Sequence, residues 1–169
     1  YWRYEIFLKK MEGKRGALLG ANGAIFAIRK ELYQPLESDT IIEDFVLPMR
    51  ILQKGFACLY APDASAIEEA AHKIVQEKQR RIRIGAGDFQ ALFRLLPMLN
   101  PFRGFPALAF FSHKVLRWLA PFFLIIAFVT NVFLLTSGGL YIFIFILQSA
   151  FYLAALTGQL MARRKKNFK

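Results

Sequence analysis

The 169-residue chain is 56% apolar and 15% aromatic, carries one Cys, and holds 23 Lys and Arg against 12 Asp and Glu. One Cys excludes a disulfide scaffold, and 21% charge on so apolar a background excludes an intrinsically disordered chain. The charge is unevenly spread: fourteen bases and all twelve acids lie in residues 1–88, whereas residues 89–169 carry nine bases and no acid.

Tyr4, Phe7, Leu8 and Met11 recur at helical spacing and predict an amphipathic helix from Trp2 to Glu12, ending at Gly13. A glycine-rich stretch, Leu18 to Gly23, follows, and Ala24 to Ile28 (AIFAI) reads as a short buried strand. After a loop containing Pro35, the spacing from Thr40 to Glu43 fits a capping box opening a helix that runs to about Lys54 and closes at Gly55. Phe56 to Tyr60 (FACLY) reads as a second strand, cut by Ala61-Pro62. Glu68 to about Gly85 has no Pro or Gly inside it and predicts one long helix. Strands separated by helices argue for an α/β layer, its sheet completed by chain outside this sequence. Tyr1 is not an initiator Met and reads as an internal cut, as does the end at RRKKNFK.

From Phe89 to Arg117, Pro97, Pro101 and Pro106 break the chain into pieces too short to span a bilayer, with bases at Arg94, Arg103, Lys114 and Arg117. Phe89, Leu92, Phe93 and Leu96 share a helical face, as do Phe110, Phe111, Lys114 and Arg117, which reads as helices lying in a membrane interface. A packed surface helix is the competing reading. Trp118 to Thr136 then runs 19 residues without a charge and Leu140 to Leu160 runs 21. Each covers about 30 Å as a helix, the thickness of a bilayer core. Ser137, Gly138 and Gly139 leave room only for a tight antiparallel turn, and bases stand on both outer flanks but not in the turn. The positive-inside bias therefore puts both flanks, including Arg163 to Lys166, in the cytoplasm, with anionic lipid rather than nucleic acid as their counter-charge.

Glu43-Asp44 is the acidic pair of most interest. Successive helical side chains diverge by about 100°, so the two cannot share one proton as a dyad. Capping with Thr40 is the preferred reading of Glu43, which stays a candidate beside Asp44. Asp44 lies in the first helical turn, where the helix dipole favours the ionised carboxylate. Pro48 cannot donate to the carbonyl of residue 44 and loosens the helix there. An ionised carboxylate at a loosened helix start suits a general base, although a solvated first-turn Asp is the commoner arrangement. Gln79, Arg80, Arg81 and Arg83 gather three guanidinium groups that match phosphate oxygens bidentately, or else form a solvated or headgroup-facing basic surface. Gly20, Asn22 and Gly23 can bring backbone close to a substrate, or simply turn the chain. His72, His113 and Cys58 stand alone in sequence and carry no metal or nucleophile assignment.

The order GANGAIFAIRK, TIIEDFVLPMRILQKGFACLYAPDA, EKQRRIRIGAGDFQAL and a basic-flanked apolar hairpin resembles the C-terminal half of membrane-embedded family 2 glycosyltransferases, among them polysaccharide synthases of the cellulose, hyaluronan and poly-N-acetylglucosamine type. The resemblance covers about Tyr1 to Arg117. It implies an α/β fold, the C-terminal part of a Rossmann-like (GT-A type) domain over residues 1–88, with an interfacial segment at 89–117, a transmembrane hairpin at 118–160 and a basic tail at 161–169. It implies inverting transfer of a sugar from a nucleoside diphosphate donor to a glycan or lipid-linked acceptor at the inner membrane, with Asp44 as the base. Gln79 to Arg83 would be the family's Q-x-x-R-W element, in a form without its Trp that fits relatives carrying a diverged Arg-x-x-Arg version. The family's DxD metal motif is absent from this sequence. The resemblance therefore also implies that Mg2+ or Mn2+ serves the complete enzyme through ligands elsewhere, and that this chain is a fragment without the donor half. The rival reading is a non-catalytic membrane anchor or regulatory module that binds anionic lipid.

Overall fold

The computed structural model describes residues 2–67 and 74–167. The chain divides into two compact units, Tyr1–Trp118 and Leu119–Lys169. In chain order the helices are α1 (Trp2–Lys14), α2 (Glu43–Gln53), α3 (Ile74–Arg94), α4 (Phe105–Ala109), α5 (Leu116–Phe133) and α6 (Gly139–Asn167). Short 3₁₀ turns occupy Lys30–Leu32, Leu96–Leu99, Pro101–Arg103 and Leu135–Ser137, and a π-helical stretch, Phe110–Val115, joins α4 to α5.

The α/β expectation is overturned. Among the described residues there is no strand and no sheet, and β pairing is confined to two isolated bridges. In the first, Ala17 lies parallel to Cys58, with the Leu18 N–H donating to the Cys58 carbonyl at 3.1 Å and the Cys58 N–H to the Gly16 carbonyl at 2.8 Å. Two segments side by side for one step do not make a ladder, because each strand needs a neighbour to take its successive N–H and C=O groups. The pairing is cut short where Gly20 turns the chain away at φ +84. AIFAI finds no partner strand: Ile25 and Phe26 are exposed, and the second bridge, Asn22 to Ile25, only closes a turn. A short apolar run reads alike as buried strand and as surface loop, and here the second holds.

The helical expectations fare differently. The first helix runs two residues past Glu12 and the second ends where Gly55 takes φ +85. The long helix continues through Gly85 and Gly87 to Arg94; its predicted start at Glu68 lies outside the described residues. Gly87 is needed for contact rather than for a stop, since a Cβ there would stand 2.7 Å from Ile42 Cγ2.

The core of the first unit gathers around α2. Phe45, Val46, Leu47, Met49, Ile51 and Leu52 are buried, and burying each such side chain stabilises the fold by about 1.5–3 kcal/mol. Phe45, Phe110 and Trp118 form a three-ring cluster with centroids 5.5–6.0 Å apart. Phe110 is thus turned fully into the protein, while Phe102, Leu108 and Phe111 remain exposed. Glu12, only 3% exposed, joins α1 to this core: one carboxylate oxygen accepts from the Leu19 N–H at 3.1 Å and the other lies 2.7 Å from His113 Nδ1.

Two helices, Phe105–Phe133 and Gly139–Met161, are long and apolar enough to cross a membrane. Within the second unit Phe128 stacks on Phe145 at 5.3 Å, and Gln148 Nε2 donates to the Leu124 carbonyl at 3.1 Å and to the Tyr152 hydroxyl at 2.8 Å. Side-chain bonding of this kind holds apolar helices together where lipid supplies no hydrophobic drive.

Candidate active site

Asp44 is half-buried in the first turn of α2 and Glu43 beside it is exposed. The expected capping box does not form: the helix cap is Ile42, no side chain bonds the cap, and the Thr40 hydroxyl instead accepts from Arg94 Nη1 at 2.8 Å. Thr40 lies two residues too early to reach the free N–H groups of the first turn, so Glu43 keeps no capping partner.

Pro48 has the expected effect on the helix, with a consequence for the glycine-rich loop. Lacking an N–H, it leaves the Asp44 carbonyl without its helical donor. The Ala21 N–H takes that oxygen at 2.7 Å. The loop is thereby docked on the acidic pair. Gly20 lies against the Phe45 ring, where a Cβ would stand 2.7 Å from Cδ2, and Gly23 lies beside the Asp44 carboxylate, where a Cβ would stand 3.0 Å from Oδ2. The Asn22 side chain is exposed at the tip of the turn. Gly20, Gly23 and Asp44 are therefore brought together, Gly20 against the Phe45 ring and Gly23 against the carboxylate.

The basic cluster stands elsewhere on α3. Arg81 Nε donates to Glu77 Oε1 at 2.8 Å along the helix, with the Arg81 side chain 78% exposed, and Gln79, Arg80 and Arg83 are exposed too. Arg83 precedes Gly87 by four residues, a rise of about 6 Å along α3.

Sequence reading missed the part of α3 that meets the acidic pair. Gln90 and Arg94 bond the segment Asp39–Ile41, directly before the α2 cap. The signal available was the 3–4 spacing of Gly87, Gln90 or Ala91, and Arg94 on one helical face. Asp88 was missed as well. It is half-buried, and burial pushes its carboxyl up to about 6. The positive charges of Lys114 and Arg117 pull the value down and the charge of Asp44 pushes it up. Glu37, whose Oε2 lies 3.8 Å from Arg94 Nη1, accepts a hydrogen bond from Arg50, Nη2 to Oε2 at 2.7 Å, which holds it below the usual carboxylate range.

Among the described residues no three of His, Cys, Asp and Glu converge as metal ligands. The divalent cation that the resemblance implies has no fitting set of donors among the described residues.

No curated protein and no solved structure matches the chain. Residues 9–158 do match a family profile, that of glycosyl transferase family group 2, across nearly all the elements described above. The chain belongs to that family.

Proposed function

We propose that Asp44 is the general base of a membrane-bound, inverting glycosyl transfer. Asp44 takes the proton of an acceptor hydroxyl, and the acceptor oxygen forms a bond to the anomeric carbon of the donor sugar. The bond from that carbon to the diphosphate breaks, and its electron pair leaves with the phosphate oxygen. Arg80, Arg81 and Arg83 bind the diphosphate, for which planar guanidinium forks are suited. The donor is a nucleoside diphosphate sugar and the acceptor a glycan or lipid-linked saccharide. Two apolar helices, joined by an uncharged turn and flanked by bases, anchor the protein with the site on the cytoplasmic side.

The observation that carries this reading is the docking of Gly20–Gly23 on Asp44. The backbone bond from Ala21 fixes the loop, and Gly23 meets the carboxylate with backbone alone at a position where any side chain would crowd Oδ2. The test uses the complete enzyme, donor half included, in membranes with radiolabelled UDP-glucose, UDP-N-acetylglucosamine and GDP-mannose in parallel. Asp44→Asn lowers transfer from the active donor by about 10²–10⁴-fold while nucleotide-sugar binding persists, because an amide cannot accept the proton. Undiminished transfer in Asp44→Asn overturns the assignment.

A further inference from the structure

The cap of α2, Ile42, has no side-chain hydrogen bond, yet the three residues before it are bonded from α3. Gln90 reaches them with both ends of its amide: Oε1 accepts from the Ile41 N–H at 3.0 Å, and Nε2 donates to the Asp39 carbonyl at 2.9 Å. Arg94, one turn further along α3, donates through Nη1 to Thr40 Oγ1 at 2.8 Å and through Nη2 to both Asp39 carboxylate oxygens at 2.7 Å. Gly87, one turn before Gln90, lets the two helices close to the distance these bonds require, its Cα facing Ile41 and Ile42. Two side chains of one helix thus hold three consecutive residues that lead straight into Asp44.

We infer that Gln90 and Arg94 are positioning residues, which set the placement of Asp44 by clamping Asp39–Ile41 to α3. The inference rests on the reading of Asp44 as the base. A cap formed by the helix's own residues would fix the start of α2 relative to itself only. A clamp from α3 fixes it relative to the helix that also carries Arg80, Arg81 and Arg83, so the groups assigned to the acceptor and to the leaving diphosphate share one rigid reference. Both side chains are chemically suited to clamping. The Gln90 amide donates and accepts at once, and the Arg94 fork meets the Asp39 carboxylate and the Thr40 hydroxyl together, which an ammonium group cannot do with the same geometry.

The experiment is a double-mutant cycle in the complete enzyme, donor half included, with the donor that supports transfer in membranes. Gln90→Ala is expected to lower kcat by about 10²-fold, the scale of a misplacement near 1 Å, with the donor KM within about twofold. It is also expected to speed hydrogen exchange at the Ile41 amide. In an Asp44→Asn background the same substitution should cost nothing further, because it acts through the carboxylate already removed. Arg94→Lys should fall between wild type and Arg94→Ala. Loss of transfer in Asp44→Asn with full kcat in Gln90→Ala overturns the positioning role alone. An equal loss from Gln90→Ala in both backgrounds also overturns it, by showing a general effect on the fold. Full transfer in Asp44→Asn overturns the base and the clamp's role with it. Should Gln90→Ala not accumulate folded, Gln90→Glu, which keeps an acceptor for Ile41 but loses the donor to Asp39, is read by the same criteria.

Discussion

The Ala21 N–H lies 2.7 Å from the Asp44 carbonyl oxygen, the acceptor that Pro48 is unable to serve. A proline inside a helix is ordinarily a defect of about 3 kcal/mol. Here the vacated acceptor is the attachment point of the glycine-rich loop, so the defect is converted into a contact between two segments.

Pro48→Ala restores a helical donor to Asp44, and the new N–H competes with Ala21. The expected outcome is a stability gain below about 1 kcal/mol rather than the full interior-proline value, with faster hydrogen exchange at Ala21 and reduced transfer. A gain near the full value with transfer intact would show that the loop does not depend on this bond.

Asp88 gives a pH dependence of definite sign. Its carboxyl is raised from the ordinary 3.8 to about 6, so the folded state prefers it protonated. Its contribution to stability is fully present below about pH 4 and is lost as pH rises through about 6. Asp88→Asn is therefore expected to stabilise the protein at pH 7, by about 1 kcal/mol once solvent screening of a half-buried group is allowed for. The gain should vanish below pH 4. Denaturation midpoints of the two proteins across pH 4–8 check this, and parallel curves would refute it.

Asn131 is 6% exposed in α5, and neither end of its amide has a hydrogen-bond partner among the described residues. A buried polar group left in this state costs about 1–3 kcal/mol. Asn131→Leu, which keeps the branched shape in apolar form, should raise the unfolding midpoint in detergent. A lower midpoint would mean that the amide has a partner in the membrane.

The orientation proposed for the hairpin is checked by labelling in a Cys58→Ser background. A Cys at Gly138 should react with an impermeant maleimide on intact cells, and one at Lys166 only after permeabilisation. The opposite pattern would invert the topology.

What the sequence made legible follows from periodicity and punctuation. Gly55 marks the end of α2, the recurrence of Tyr4, Phe7, Leu8 and Met11 announces α1, and the uncharged runs after Trp118 announce α5 and α6. The strands were misread because AIFAI and FACLY are apolar runs whose state depends on whether another backbone lies alongside, which no local pattern records. Likewise Thr40 and Glu43 fit a capping box letter by letter, but Arg94, 54 residues away, claims the hydroxyl. Asp44 and the glycines were visible as residue types. Their meeting through Ala21 and the bonds from Gln90 were not, because both depend on tertiary approach.

The π-helical stretch Phe110–Val115 sets an angular phase. An α-helix advances about 100° per residue, so the eight steps from Phe110 to Trp118 would overshoot two full turns by about 80°. The wider turn absorbs one residue and takes back about one step, leaving the two side chains within about 20° of a common face. Both rings can then meet Phe45, the residue that follows Asp44. The extra residue is therefore tolerated only as a wide turn: winding the same eight steps as unbroken α-helix would swing Trp118 about 80° off the Phe45 ring, whereas deleting one residue leaves seven steps, about 700°, and returns Trp118 to the same face without the wide turn.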